Sequence, residues 1–254
     1  MSLIKSEQEI ASMRRGGRIL AEILHLLEKN VKPGHTTMDI ERHAQKCFDQ
    51  YQISPCFKGY NGYPYICCIS TNADVVHAFP NDKPLEKGDL VTIDCGLWTD
   101  GLNTDAAISV IVGGDACASE KTRRLNQITR KALYAGIKEV KPGNKTGDIG
   151  NAIAKVVEGA GFSIIRELTG HGIGKSLHEE PTVANYGKKG TGIALMPGMV
   201  ICIEPIVSAG ERFIRTKEDR WTIEIKDGAW GCQWEHMILV TPNGHEILTE
   251  YHPT

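Results

Sequence analysis

Val31-Lys-Pro-Gly-His-Thr-Thr-Met-Asp-Ile40 and Val140-Lys-Pro-Gly-Asn-Lys-Thr-Gly-Asp-Ile149 are one ten-residue phrase written twice. Seven of the ten positions agree, at an offset of 109 residues. In each copy Pro-Gly stops a preceding helix and the Thr/Asp cluster starts another. Upstream of the first copy, Ser6-Glu-Gln-Glu9 reads as a capping box, followed by Ile10, Met13, Leu20, Leu24 and Leu27 at helical spacing. Upstream of the second, a helix is predicted from about Ser119 through Leu125, Ile128 and Ile137.

The duplication continues downstream. His77-Ala-Phe-Pro80 matches His178-Glu-Glu-Pro181, and Gly88…Asp94 matches Gly198…Glu204, a carboxylate six residues after the glycine each time. The gap from histidine to carboxylate is 17 residues in the first copy and 26 in the second, with the polar loop 187–192 as the place for the extra nine. Two helices followed by strands, present twice, predict two halves about a pseudo-twofold axis with a site between them. We expect a single catalytic domain over 1–254, with copies at about 5–113 and 118–240.

Composition narrows the function. In 254 residues, 29 basic side chains face 31 acidic ones, and 41% of residues are hydrophobic. That excludes a disordered chain and speaks against an electrostatic binder of nucleic acid or membrane surface. No apolar run approaches the ~18 residues of a membrane span. A cytoplasmic protein with no membrane association is expected. The eight cysteines contain no Cys-x-x-Cys pair and are read as reduced, mostly buried thiols, one or two lining a site.

Asp100-Gly101 joins two β-branched runs, a two-residue hairpin signal. That turn sets Asp94 opposite Ala107, so Asp105 projects from the same face as Asp94 and the two become diagonal neighbours. Glu204 closes the apolar run Met199–Ile203, and Glu235-His236 interrupts another run after a second Asp-Gly turn at 227–228. Acids in apolar strands are costly unless neutralised, and a divalent metal is the usual way to hold such a cluster. The remaining dense motif is Thr169-Gly-His171-Gly-Ile-Gly174-Lys-Ser-Leu-His178. A phosphate-binding P-loop would need glycine where Thr169 stands, and no second histidine follows His178 at helical zinc-protease spacing. A histidine flanked by glycines is left, beside a repeated His-x-x-Pro.

These residues together resemble the type I methionine aminopeptidases in their short bacterial form, and the resemblance covers essentially the whole chain. It implies the α+β pita-bread fold, with antiparallel sheets in two pseudo-twofold-related helix-helix-strand halves and helices packed on the outer faces. It implies two divalent ions, Co, Mn, Fe(II) or Zn, with Asp94 on one, His171 and Glu204 on the other, and Asp105 and Glu235 on both. Four carboxylates would balance two such ions in charge. By the same analogy Glu204 shuttles a proton, His178 binds the scissile carbonyl and His77 contacts the scissile amide. Cys56, Tyr60, Tyr63, Cys68 and Trp221 match the methionine pocket, and Leu177 stands at a pocket position where the family commonly has an aromatic residue.

The implied activity is removal of the initiator methionine from nascent chains with a small second residue, by a monomer working transiently beside the ribosome. Ala78 and Phe79 stand where the family commonly has Gly and Ile; facing the substrate, they would narrow the room for that residue. The chain's own start, Met1-Ser2, belongs to the cleavable class. Two alternatives are an X-Pro aminopeptidase or prolidase of the same fold, which usually carries a further N-terminal domain, and a non-catalytic binding module, which would lack ligands.

Overall fold

The repeated Thr/Asp cluster works as a helix start in both halves. α1 (Glu7–Glu28) opens with Ser6 accepting the Glu9 N–H while Glu9 accepts the Ser6 N–H, and α2 (Thr37–Tyr51) repeats the device with Thr36 and Asp39. α3 (Glu120–Ile137) is capped by Ser119. α4 (Thr146–Gly159) has Lys145 in place of a capping hydroxyl, and there Asp148 alone accepts the Lys145 N–H at 2.8 Å. The aspartate shared by the two phrases is therefore the constant element of both caps. The computed structural model describes residues 3–253; Met1-Ser2 and Thr254 lie outside the described residues.

Between the first helices and α3 run β1 (Ser54–Pro55), β2 (Cys67–Thr71), β3 (Asp74–Val76), β4 (Leu90–Thr99) and β5 (Leu102–Ile111). After α4 come β6 (Ser163–Ile164), β7 (Gly170–Gly172), β8 (Glu179–Val183), β9 (Val200–Ile203) and β10 (Ile206–Ser208). The chain then continues as β11 (Ile214–Thr216), β12 (Ile223–Ile225), β13 (Gly231–Gln233), β14 (His236–Thr241) and β15 (Gly244–Ile247). All pairings are antiparallel: β1 and β2 on one edge of β4 with β5 on the other, β13-β10-β6, β11-β12-β3, and β15-β14-β9-β7-β8. Helices cover one side of these sheets, giving the pita-bread architecture. Among the described residues, no helix is long and apolar enough to cross a membrane.

Each helix pair seals its own core. Leu20, Ile23 and Leu27 of α1 pack with Ile40 and Phe48 of α2 against Val91, Ile93 and Leu97 of β4. Leu125, Leu133 and Ile137 of α3 pack with Ile149 and Ile153 of α4 against Ile201 and Ile238. Fully burying one such side chain contributes about 1.5–3 kcal/mol, so these two clusters carry most of the fold's stability.

The β4–β5 ladder has the expected register, with Asp94 opposite Ala107. The second Asp-Gly, 227–228, lies at a turn and closes no hairpin. Both edges of β12 are already taken, by β11 and β3, so β13 joins β10 instead.

α1 lies close on this framework because Gly16 and Gly17 have no side chains. A Cβ on Gly17 would lie 2.1 Å from the Leu248 carbonyl oxygen, and one on Gly16 2.5 Å from Thr104 Oγ1. Gly17→Ala gains about 1 kcal/mol of helix propensity, but a backbone carbonyl cannot give way cheaply, and overpacking costs about 1–3 kcal/mol or more. We expect net destabilisation of about 1–2 kcal/mol from urea midpoints. Gly159→Ala, with nothing within 4 Å of its Cβ, should be neutral or slightly stabilising. Equal midpoints for the two variants would refute the close-approach account.

Candidate functional site

The two ladders deliver their carboxylates to one place. Asp94 and Asp105 project from one face of the β4–β5 hairpin, both buried. In the second half Ile203 pairs with His236 and Ile206 with Gln233, so a single register runs through β9–β10 and β13–β14. Glu204 and Glu235 fall opposite each other where that ladder is interrupted, next to Pro205, which has no N–H to give it. Glu235 then crosses to the first half: its N–H donates to the Ala107 carbonyl at 2.9 Å, two residues from Asp105. Carboxylate oxygens of Asp94, Asp105 and Glu235 lie within 4.8 Å of one another, as do ligand atoms of His171, Cys202 and Glu235.

His171 sits on the short strand β7 between two glycines that let it approach neighbouring backbone. A Cβ at Gly170 would lie 2.3 Å from the Cys202 carbonyl oxygen, and one at Gly172 2.1 Å from that of Glu180. The imidazole Nδ1 lies 2.9 Å from the Gly172 carbonyl, which makes Nδ1 the protonated nitrogen. Nε2 is then an acceptor, yet it faces Glu204 Oε1 at 3.6 Å and Asp105 Oδ2 at 4.0 Å. Acceptor meets acceptor, an arrangement that calls for a cation.

The electrostatics agree. Burial, reinforced for Asp105 and Glu235 by neighbouring carboxylates, pushes these two well above the usual carboxylate range. Burial together with Asp94 and Asp105 does the same to Glu204, and burial alone raises Asp94 to about 7. Asp94 Oδ1, Asp105 Oδ1 and Glu235 Oε1 are buried without a hydrogen-bond partner. Gln233, which sequence reasoning missed, donates to Asp94 Oδ2 at 3.3 Å and Glu204 Oε2 at 3.4 Å. Cys202 was missed as well; burial and the nearby carboxylates hold it as a neutral thiol. Four hard oxygen donors with one imidazole and unsatisfied oxygens fit divalent metal rather than a thiolate-seeking ion.

A cavity of about 400 Å³ opens over these residues. Tyr60, Tyr63, Cys68, Leu177 and Trp221 line it, together with His77 and His178. Tyr63 is anchored by donating to the Cys67 and Ala78 carbonyls at 3.1 and 3.0 Å, and its ring meets Trp221 edge-on at 5.0 Å. His178 lies edge-on to His171 at 4.4 Å, with its Nδ1 2.9 Å from the Tyr60 hydroxyl. Burial keeps His178 neutral and holds His77 and His171 at about 4.

Two expectations about the lining change. Phe57 lines the cavity and Cys56 does not; the Cys56 thiol packs over Gly96, 3.9 Å from the Thr104 carbonyl, on the strand face that carries Asp94 and Asp105. Ala78 and Phe79 do not face the cavity either, because His77 in left-handed backbone (φ +57°) turns the chain, and Phe79 packs behind Tyr63 at 5.4 Å. Glu167, Leu168 and Thr169 supply rim residues that carried no sequence signal of their own.

Residues 11–242 match metallopeptidase family M24. The methionine aminopeptidase of Clostridium perfringens is 42% identical over 249 residues, covering 98% of this chain and 99% of that protein. The crystal structure of Thermotoga maritima methionine aminopeptidase superposes with a TM-score of 0.94 at 42% identity, over 97% of this chain and 98% of that one. Prolidase from Pyrococcus furiosus shares the fold at a TM-score of 0.78 and 22% identity, with this chain covering 66% of it.

Removal of metal should lower stability in a pH-dependent way. A carboxyl whose folded pKa is raised contributes stability below its unfolded value, near 4, that is lost as pH rises through the folded value, about 7 for Asp94. Chelated protein should therefore melt lower at pH 7.5 than at pH 5.5, and divalent metal should restore the loss at pH 7.5. At a hundredfold excess over Kd, the restored stability is about 2.7 kcal/mol. A melting curve indifferent to chelator at pH 7.5 would contradict a metal-filled cluster.

Proposed function

The chain belongs to metallopeptidase family M24, and within it we propose an aminopeptidase that removes N-terminal methionine when a small residue follows. The observation that carries this reading is an acceptor nitrogen on His171 facing two carboxylate oxygens, at the floor of a cavity walled by Tyr63, Trp221, Leu177 and Cys68. Two divalent ions would be held by Asp94 on one side, His171 and Glu204 on the other, and Asp105 and Glu235 between. When bound, such ions lower the pKa of water and polarise the scissile carbonyl.

The remaining roles belong to the chain's own groups. Tyr63, Trp221 and Leu177 bury a methionine side chain, whose thioether suits aromatic edges. Cys68 stands opposite Asp94 in the β2–β4 register, so this wall adjoins the carboxylates and sets the first peptide bond beside them. His178, neutral, with Nδ1 engaged by Tyr60, offers Nε2–H to the scissile carbonyl. His77, also neutral, contacts the scissile amide. Glu204, ionised beside the bound ions, would take a proton from the attacking water and pass it to the leaving amine.

In this reading residues 1–254 are one catalytic domain whose copies, about 5–113 and 118–240, contribute two carboxylates each, with His77 from the first and His171 and His178 from the second. It acts on nascent chains as a cytoplasmic monomer, transiently near the ribosome, with Mn, Fe(II), Co or Zn as the metal.

Purified enzyme should hydrolyse Met-Ala-Ser, and kcat/KM should fall steeply across Met-X-Ser from Gly, Ala and Ser to Leu and Lys, tenfold for each ~1.4 kcal/mol of steric penalty. A flat profile would discard the methionine-pocket reading, and preference for an X-Pro peptide would favour a prolidase-like enzyme. His178→Ala should retain its metal while losing about 10²–10³-fold in kcat; metal lost with the side chain would make His178 a ligand. Asp105→Asn and Glu235→Gln should impair metal content more than Asp94→Asn, and the reverse order would undo the bridging assignment.

A further inference from the structure

Lys5 stands at the very start of the first copy and belongs to no motif, yet its side chain is only 7% exposed. Its ammonium meets Glu179 Oε2 at 2.5 Å, and the Glu179 side chain is equally buried. Glu179 directly follows His178, and its other oxygen accepts the Ser176 N–H at 3.0 Å. The turn 174–179 wraps this ion pair closely: a Cβ on Gly174 would lie 2.5 Å from Lys5 Nζ and 2.9 Å from Glu179 Oε1. Leu177 and His178, the two residues between the anchored positions 176 and 179, are the ones that face the cavity.

Lys5 is itself held on the other side. Its N–H donates to the Gly198 carbonyl at 2.8 Å, and Ile4 bridges Met199, the residue that leads into β9 and so to Glu204. One side chain thus ties the segment before Glu204 to the turn that carries His178. A buried ion pair contributes little net stability compared with an apolar pair of similar volume, because desolvation offsets the attraction. What it does fix is distance and direction.

We propose that Lys5 is a positioning residue: through Glu179 it sets the 174–179 turn so that His178 meets Tyr60 and presents its imidazole to the cavity. The inference rests on the reading above that His178 acts on the substrate.

Lys5→Met alone would strand a buried carboxylate and is liable to unfold. The decisive variant is Lys5→Met/Glu179→Gln, which removes both charges and keeps an acceptor for the Ser176 N–H; should it not fold, Lys5→Leu/Glu179→Gln, which likewise strands neither charge, gives the same readings. It should melt cooperatively and bind its full metal. With Met-Ala-Ser, kcat should fall by about 10- to 100-fold, as for a displaced reacting group, with KM changed less than about twofold. Lys5→Arg, which keeps the charge, should recover most of kcat. A second readout needs no turnover: in 15N-histidine spectra of the Zn²⁺-loaded protein, the His178 signal (assigned by its loss in His178→Ala) should shift in the double variant and return in Lys5→Arg. Wild-type kcat in the double variant overturns the proposal, and so does an unmoved His178 signal. Failure of the wild type to cleave Met-Ala-Ser would instead overturn the aminopeptidase reading, leaving the His178 signal to decide the role of Lys5.

Discussion

Four carboxylates drawn out of water into one cluster are the constraint on which this structure turns. Each buried ion costs several kcal/mol after relaxation, and opposed like charges on paired strands add to that. Asp94, Asp105, Glu204 and Glu235 nevertheless sit where the two halves meet, with oxygens lacking hydrogen-bond partners. The cores supply the compensation from outside: two helix pairs, each sealed against its own strands, hold the framework whether or not the centre is relaxed. A divalent cation then converts the least favourable part of the molecule into its reactive one.

The two copies have diverged in a way that separates chemistry from selectivity. In the first half β4 and β5 form an unbroken hairpin, closed by a two-residue turn. In the second half the matching ladder is interrupted at Glu204 and Glu235, and the connection between its strands runs out through β11 and β12 before returning at β13. That excursion brings Trp221 to the cavity beside Tyr63. Duplication thus supplies the paired carboxylates, and the extra connection supplies part of the cavity wall, which under the proposed function selects the side chain.

Legibility in the sequence followed the range of the interactions. Caps and the Asp100-Gly101 turn are local, so the helix starts and the Asp94–Ala107 register could be read directly from residues a few positions apart. The pairing of Glu204 with Glu235 was hidden, because the intervening excursion removes any turn from which to count register. Cys56 was named only through the family resemblance and Phe57 carried no signal: the left-handed Gly59, Asn61 and Gly62 that follow leave no alternation from which the facing of this segment could be read. That Phe79 turns from the cavity was hidden too, because left-handed backbone at His77, a non-glycine residue, redirects the chain just before it. Gln233 and Lys5 left no signal, since their partners lie 139 and 174 residues away.

The histidines beside the cluster do not supply the positive charge that its four carboxylates lack. Protonated imidazoles at His77, His171 and His178 could in principle balance most of the carboxylate charge. Burial acts against this, holding His77 and His171 at about 4 and lowering His178 too. The Gly172 carbonyl further assigns the His171 proton to Nδ1 and leaves Nε2 as a lone pair directed at the acids. Had these rings been charged, most of the cluster's charge would be cancelled, with no donor nitrogen free and less call for a Lewis acid. Neutral rings leave the acids to be discharged either by protons of their own, which their raised pKa values favour, or by a divalent cation, which displaces those protons and can also activate water.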